Sequence, residues 1–318
     1  MRVLAPEHIP NSLWTDNHIV LPPALVDAYR SELISRELYD RALTRSAATS
    51  VGGATEEETD EHFTQMFVNS ASRVLYALLS PCNTFNEASD TLIASLSYGN
   101  VGILDIPCGT GAMSATMIGL LIELRQSNVL PKLPLTLTVC AGDFSAPSRS
   151  VCLSLLDRLV DEASSVGITL RHSVHHWDAL DHQDTAALID EWFSATETTA
   201  DHLVTILNFS GEMHKADVFD KFSPSINNML GRLYSRKGAV IWLEPGTNQA
   251  RKALRKNFNA FLDYVPFLSK LKHRYTGVQR RFAEYDVRDP LTDAKFPSQV
   301  TEICFYAYFP REVSCQRI

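Results

Sequence analysis

The feature that most constrains the fold of this 318-residue chain is an alternation of two patterns that begins near Gly102. Short apolar runs of strand length, rich in β-branched residues, alternate with longer stretches of helical periodicity. This alternation predicts an α/β fold with a parallel sheet and helices on both faces. The predicted strands are 102–106, 135–141, 168–175, 202–207 and 239–243, and the predicted helices are 112–126, 146–166, 185–196, 218–236 and 249–271.

Two more strand-like runs follow near the end of the chain, at 278–287 and 300–309, with the turn-like sequence PLTDAKFPSQ between them. They predict a hairpin-like pair that closes the sheet. The expected fold class is therefore α/β, with a seven-stranded, mostly parallel sheet that contains one antiparallel strand.

The first 98 residues have a different pattern. Residues 1–21 look irregular, helical periodicity covers 23–46, 61–79 and 87–97, and the small, acidic segment AATSVGGATEEETD reads as a connector. We therefore expect an N-terminal helical cap or substrate region at 1–98, followed by the core at 99–318.

Composition excludes several classes of protein. No run of about 18 uncharged apolar residues occurs, so no transmembrane helix is expected. The N-terminus has no signal- or transit-peptide pattern, which favours a cytoplasmic protein. The six cysteines form no CxxC pair, which argues against a structural zinc site, an iron-sulfur centre and a disulfide framework. No metal is expected, since His172 and His175 would face opposite ways on a strand.

The charge is distributed unevenly along the chain. Residues 1–231 have a net charge of −16, whereas residues 232–281 have a net charge of +10. This asymmetry indicates one surface that meets an anion, with a solvated basic helix as the alternative.

The junction between the first strand and the first helix has the sequence Leu104-Asp105-Ile106-Pro107-Cys108-Gly109-Thr110-Gly111-Ala112. Glycines at such a junction let the backbone approach a ligand closely, and the helix N-terminus favours negative groups. A dinucleotide-binding fingerprint would need GxGxxG, whereas here the acid precedes the turn.

This DxPCGTG sequence resembles motif I of the class I S-adenosylmethionine-dependent methyltransferases, which implies a Rossmann-like fold and S-adenosyl-L-methionine as cofactor, with S-adenosyl-L-homocysteine as product. Three later segments resemble the family's further motifs in the expected order: an acid for the ribose hydroxyls, a site for the adenine amine and a wall of the methionine pocket. The cofactor-binding residues implied by the resemblance are Asp105, Pro107, Cys108, Gly109, Thr110, Gly111, Asp143, Phe144, Ser145, Asp178, Ala179, Asn208, Phe209 and Ser210.

An amine or hydroxyl acceptor must lose a proton during methyl transfer. Glu212, His214 and Glu244 are the candidates for that role, because they follow strand ends. The fourth motif, Asn208-Phe209-Ser210-Gly211, departs from the NPPY or DPPY of base-amine methylating enzymes, which places that chemistry in doubt. No cysteine follows the cofactor motif in the place that carbon-5 pyrimidine methylation needs.

The basic segment 232–281 suggests the acceptor. Arg251, Lys252, Arg255 and Lys256 form one helical stripe near aromatic residues, a pattern that suits RNA phosphates and bases. The stretch Gly238 to Thr247, which contains EPGT, also resembles methyltransferase-like proteins that assist assembly of the small mitochondrial ribosomal subunit. We therefore expect a methyltransferase of RNA or an RNA-protein particle. A methyltransferase of a small molecule or protein side chain, and a non-catalytic assembly factor that binds the cofactor, stay open as alternatives.

Overall fold

The structure is a computed structural model and describes residues 2–44, 53–196, 200–209, 218–233, 236–246 and 281–308. The helices are α1 (Pro23–Ser35), α2 (Tyr39–Leu43), α3 (Glu56–Leu79), α4 (Asn86–Ser95), α5 (Ala112–Gln126), α6 (Ala146–Arg158), α7 (Val160–Ser165), α8 (His182–Ala195) and α9 (Phe219–Leu233). The strands are β1 (Trp14–Thr15), β2 (His18–Ile19), β3 (Gly99–Asp105), β4 (Leu135–Asp143), β5 (Ile168–His176), β6 (Asp201–Leu207), β7 (Gly238–Glu244), β8 (Arg281–Arg288) and β9 (Lys295–Tyr308).

The described strands form one sheet in the order β1-β2-β8-β9-β7-β6-β3-β4-β5. The five strands from β3 to β7 are parallel, with β4 and β5 on one side of β3 and β6 and β7 on the other. The direction of winding thus reverses beside β3, and ligands of open α/β sheets bind outside the carboxyl ends of the strands at such a switch point. The α/β class predicted from the sequence is confirmed.

The predicted number of strands is wrong in detail, since the described sheet has nine strands and two of them, β1 and β9, run against the others. The two additional strands come from the stretch 1–21 that looked irregular. Each has two residues, which is too short to show a period-two pattern. β2 pairs with the edge of β8, whose backbone groups would otherwise be unpaired.

Several helix bounds differ from those predicted for local reasons. The expected helix at 23–46 is interrupted after Ser35, where Glu37 has a positive φ of 60°. The expected helix at 146–166 is divided at Leu159 into α6 and α7. α3 starts at Glu56 rather than 61, because Thr55 and Glu58 form a capping box at its N-terminus. The helix predicted at 249–271 lies outside the described residues.

The two faces of the sheet bury separate sets of side chains. Ile103 and Ile241 belong to a cluster with residues of α1, α3 and α5, whereas the neighbouring positions Leu104 and Val240 belong to a cluster with residues of α8 and α9. The first cluster also contains residues from Leu4 onward. The N-terminal region and the sheet therefore share one core, so the boundary at 98/99 marks a change of pattern and not two separate cores.

The β8–β9 hairpin extends beyond the carboxyl ends of the parallel strands. Thr301 of β9 pairs with Glu244, the last residue of β7, and also with Phe282, at the start of β8. β8 therefore begins at the level where β7 ends. The hairpin forms a wall beside the edge at which a ligand would bind.

Within the part of the chain that the structure describes, no helix is long and apolar enough to cross a membrane.

Candidate functional site

The turn between β3 and α5 follows the sequence pattern closely. Gly109 and Gly111 have positive φ angles of 50° and 83°, a region that side-chain-bearing residues rarely adopt. The Gly111 amide donates to the Cys108 carbonyl at 2.8 Å, and the Cys108 amide donates to the Gly142 carbonyl at 2.9 Å. The turn is thus tight and is tied to the end of β4.

The two glycines have different surroundings. A β-carbon on Gly109 would meet nothing within 4 Å, so the backbone there is open to a ligand. A β-carbon on Gly111 would lie 3.1 Å from the Cα of Cys152, which indicates that this glycine is needed for packing of the turn against α6. Pro107 is half-buried and Thr110 is buried in the same turn.

Asp105, at the end of β3, is 0% exposed, and its carboxylate is hydrogen-bonded to residues that flank the turn. One carboxylate oxygen accepts hydrogen bonds from the Ser114 hydroxyl at 2.6 Å and the Ser114 amide at 3.2 Å, and the other accepts from the Thr205 hydroxyl at 3.1 Å. Burial raises the pKa of Asp105 to about 6, and the bonds from Ser114 and Thr205 oppose this shift. Asp105 links β3, α5 and β6, so its effect on a ligand would act through the shape of the turn.

Asp143, at the end of β4, touches the turn directly. Its Oδ2 accepts from the Gly109 amide at 2.9 Å and its Oδ1 accepts from the Ser145 amide at 2.8 Å. Burial raises the pKa of Asp143, and the two backbone hydrogen bonds oppose that shift. A carboxylate has about four acceptor positions, so two such bonds leave capacity for two hydroxyl donors. Ser145 also caps α6, with its hydroxyl accepting from the Ser148 amide at 3.3 Å.

Cys108 is buried beside Cys152. Their side-chain hydrogen bond and burial raise the pKa of the Cys108 thiol well above its ordinary value. Since the thiolate is the reactive form, Cys108 is unsuited to act as a nucleophile and fits a packing role in the turn.

Phe144 follows β4 in the segment predicted to bind the ribose, and Asp178 and Ala179, predicted near the adenine, follow β5. The Phe144 side chain is 62% exposed, and its ring centroid lies 5.4 Å from that of His176. Asp178 accepts from the Leu180 amide at 2.8 Å, and Ala179 packs on the cluster that contains Trp177. Phe144 thus exposes an aromatic ring beside His176, at the ends of β4 and β5.

The ends of β6 and β7 are tied together. The Asn208 amide donates to the Leu243 carbonyl at 2.9 Å, and the Phe209 amide donates to Glu244 Oε1 at 2.9 Å. Glu244 also accepts from the indole N–H of Trp242 at 2.6 Å and is only 1% exposed. One oxygen of the predicted general base Glu244 therefore holds the backbone after β6.

The remaining predicted residues fall on parts of the chain outside the described residues. These are the methionine-pocket residue Ser210, the catalytic candidates Glu212 and His214, and the RNA-binding candidates Arg251, Lys252, Arg255 and Lys256. Their roles stay predictions.

Helix α3 contributes residues that sequence reasoning missed. The Thr59 hydroxyl lies 3.4 Å from the Ser148 hydroxyl near the start of α6, and Ser70 and Arg73 contact Asn208 at the end of β6. The helix therefore spans the site from the β4 side to the β6 side. A signal was present in the sequence, since Arg73 is the one charged residue between Asp60–Glu61 and Leu79 on a helix that ends in an apolar run.

Among the residues with a described structure, no group of three or more His, Cys, Asp and Glu side chains could hold a metal ion.

Comparisons with known proteins give structural similarity without sequence similarity. No family model matches the chain, and no curated protein matches it. Similar solved structures include an S-adenosyl-L-methionine-dependent methyltransferase from Methanococcus maripaludis, at 12% identity over 84% of this chain and 100% of that one, with a TM-score of 0.33. The DszA carbon methyltransferase is 14% identical over 88% of this chain and 67% of that one, with a TM-score of 0.33.

A third similar structure is precorrin-6y C5,15-methyltransferase from Geobacter metallireducens, at 14% identity over 70% of this chain and 90% of that one, with a TM-score of 0.30. These three similar structures are methyltransferases. The local resemblance around 238–247 to the mitochondrial assembly proteins is not confirmed.

Proposed function

We propose that this protein is an S-adenosylmethionine-dependent methyltransferase. The observation that carries the proposal is the contact between Asp143 and the Gly109 amide at the switch point of the sheet. It joins an acceptor-only carboxylate to a glycine turn whose open backbone precedes a helix N-terminus.

The residues present fit this cofactor. Gly109 leaves open space at its backbone, Asp143 has acceptor positions left for the ribose hydroxyls, and Phe144 exposes an aromatic ring. Asp105 keeps the turn in shape through Ser114 and Thr205. When bound, the cofactor supplies a methyl group on a positively charged sulfur.

Methyl transfer needs mainly alignment in a site shielded from water. In this chain α3 and the β8–β9 hairpin flank the carboxyl ends of β6 and β7, where the acceptor would lie. These elements exclude water from one side of the site. The proton of an amine or hydroxyl acceptor would pass to Glu212 or His214, since Glu244 is only 1% exposed.

The acceptor that we propose first is RNA or an RNA-protein particle, and its support is the net charge of +10 in residues 232–281. A compact acceptor, either a small molecule or a protein side chain, is the second candidate. The position of α3 across the edge of the sheet favours it, because a fixed helix there narrows access to the strand ends.

The test is transfer of radiolabelled methyl groups from S-adenosylmethionine into a cell lysate, which is then separated into RNA, protein and small-molecule fractions. Asp143→Ala is the blank, because Asp105 is fully buried and its removal would disturb the fold. Label in RNA supports the first acceptor, and label in protein or small molecules supports the second. A cofactor-binding protein that transfers no label above the blank would instead be a non-catalytic assembly factor.

Charge reversal at Arg251, Lys252, Arg255 and Lys256 tests the RNA proposal separately. We expect the variant to keep cofactor binding and to lose RNA association, with a weaker dependence of binding on salt. Unchanged affinity for RNA would remove RNA as the acceptor.

A further inference from the structure

Two residues of α3 form hydrogen bonds with Asn208, the residue that follows β6. Asn208 has a φ of 56°, in the left-handed region that asparagine tolerates better than most residues. Its side-chain Nδ2 donates to the Ser70 hydroxyl at 2.8 Å, and its Oδ1 accepts from Arg73 Nη1 at 3.2 Å. Both ends of the Asn208 amide are thus engaged inside the protein.

The next residue is held from the opposite side. The Phe209 amide donates to Glu244 at 2.9 Å, and the Phe209 ring lies 5.0 Å from that of Phe222. The backbone of two consecutive residues is therefore fixed by α3 on one side and by β7 and α9 on the other.

Arg73 is a buried charged residue whose guanidinium is hydrogen-bonded inside the protein. Its side chain is 7% exposed, and its Nε donates to the Gln299 carbonyl at 3.1 Å, which ties α3 to β9 as well. Burial lowers the pKa of Arg73, and the negative charge of Glu244 is among the groups that oppose the shift. Keeping a guanidinium out of water is costly, so these bonds must hold a defined geometry to compensate.

The Asn208–Phe209 backbone borders the candidate cofactor turn. β6 pairs with β3, and the Thr205 hydroxyl of β6 donates to Asp105 at 3.1 Å. A shift at the end of β6 would therefore move the wall next to the glycine turn.

We propose that Ser70, Arg73 and Glu244 are positioning residues for methyl transfer, which fix the Asn208–Phe209 backbone at the strand end beside the glycine turn. On this proposal, which rests on the proposed function, the Asn208 side chain does not itself bind the cofactor, as the resemblance implied, because Ser70 and Arg73 engage it. Its side-chain amide instead links α3 to the end of β6.

The test compares two buried arginines. Arg73→Met removes the hydrogen bonds to Asn208 and Gln299, and Arg125→Met is the matched control. Arg125 is also fully buried and also donates to backbone carbonyls, those of Val166 at 3.0 Å and Ser97 at 2.9 Å, but these precede strands β5 and β3. Both variants lose a buried guanidinium, and only one of them loses it at the carboxyl edge.

The main readout is the initial rate of label transfer, at saturating S-adenosylmethionine, into the lysate fraction that the wild-type protein labels. We expect Arg73→Met to lose about a hundredfold in rate, because a misplacement of about 1 Å near the reacting groups has that effect. The Kd for S-adenosylhomocysteine should change little, since Asp143 lies on the other side of β3. Arg125→Met should transfer at close to the wild-type rate, and Arg73→Lys should recover part of the loss. Equal rates for Arg73→Met and Arg125→Met would overturn the proposal.

A second readout does not depend on activity. The losses of Tm in Arg73→Met and Asn208→Ala should be non-additive in the double variant, because the two side chains share a hydrogen bond. Additive losses of Tm would contradict the interaction between Arg73 and Asn208, and would leave the proposed function intact. A wild-type protein that binds no cofactor would sink the proposed function, and the role in methyl transfer with it, even if the losses were non-additive.

Discussion

Gly109 and Gly111 have similar backbone angles and different neighbours. Alanine at Gly109 should cost about 1–2 kcal/mol of stability from the left-handed backbone alone, since a β-carbon there meets nothing within 4 Å. That β-carbon would fill the space left for a ligand, so cofactor binding should be lost. Urea unfolding and calorimetric titration with S-adenosylhomocysteine measure the two effects.

Gly111→Ala should behave differently, because its β-carbon would lie 3.1 Å from the Cα of Cys152. We expect a larger loss of stability than in Gly109→Ala. A Gly109→Ala protein that binds the cofactor normally would contradict the binding role proposed for this turn.

Asp105 gives a pH dependence whose sign follows from its pKa. The pKa is about 6 in the folded protein, raised by burial from 3.8, so the folded state favours the protonated form. The contribution of this group to stability is full below about pH 4 and is lost as the pH rises through about 6. The free energy of unfolding of the wild type, relative to Asp105→Asn, should therefore fall by about 2 kcal/mol between pH 4 and pH 7. A flat difference over that range would show that Asp105 titrates normally.

The pKa of His202 is shifted downward, in the opposite direction to that of Asp105. Burial lowers its pKa to about 4 from 6.5, so the folded state favours the neutral ring. Its contribution to stability is full above about pH 6.5 and is lost as the pH falls towards 4. The advantage of the wild type over His202→Gln in unfolding free energy should shrink by about 3 kcal/mol over that range. Chemical denaturation at several pH values measures it, and an advantage that grows on acidification would contradict the assignment.

Residues of the site differ in how far the sequence predicted them. Asp105, Gly109 and Asp143 could be predicted because each lies in a local pattern at the end of a strand. Ser70 could not. Arg73 was marked only by its lone charge on an apolar helix, and its partner Asn208 could not be predicted, because it lies more than 130 positions away. A local pattern records which residues follow a strand, and it does not record which helix crosses above them.

At the scale of an element, α3 depends on its first turn. The Thr55 hydroxyl accepts from the Glu58 amide at 3.2 Å, and Glu58 accepts from the Thr55 amide at 3.1 Å. Thr55→Ala should lower the free energy of unfolding by about 1 kcal/mol, whereas Thr55→Ser keeps the capping hydroxyl and should lose little. Equal losses in the two variants would show that the cap does not stabilise α3. Thermal unfolding of both variants distinguishes these outcomes.

Elements with a strong period were predicted well, and those set by tertiary pairing were not. The predicted helix at 112–126 coincides with α5, and β3 to β7 lie within a few residues of the predicted strands. The offset of the β8–β9 hairpin and the pairing of β2 with β8 depend on register between distant strands. Nothing in the local alternation of apolar residues specifies that register.

At the scale of the whole molecule, the N-terminal region belongs to the same core as the sheet. Leu25 and Phe67 are buried in one cluster with Leu120 and Leu137. The Glu32 carboxylate, 3% exposed, accepts from Arg158 at 3.0 Å and joins α1 to α6. The pattern of the sequence changes at residue 98, but the packing continues across it.

A chain that starts at residue 99 should therefore not fold alone. Removal of residues 1–98 would expose the apolar face of α5, which is buried along nearly its whole length. We expect aggregation or a loss of cooperative unfolding, measured by calorimetry and size-exclusion chromatography beside the full chain. A monomeric fragment with a sharp unfolding transition would show that the sheet folds as a separate domain.

The central claim is that the carboxyl edge of the sheet binds S-adenosylmethionine through the glycine turn and Asp143, and equilibrium dialysis with radiolabelled cofactor tests it most directly. Asp181→Ala is the matched control for Asp143→Ala, because each carboxylate accepts from the amide two residues later, at 2.7 Å and 2.8 Å respectively. The wild type and Asp181→Ala should bind alike. Asp143→Ala should bind at least about tenfold more weakly, since hydrogen bonds to a charged group contribute about 1.5–3 kcal/mol each. No binding by the wild type, or equal binding by all three proteins, would contradict the account.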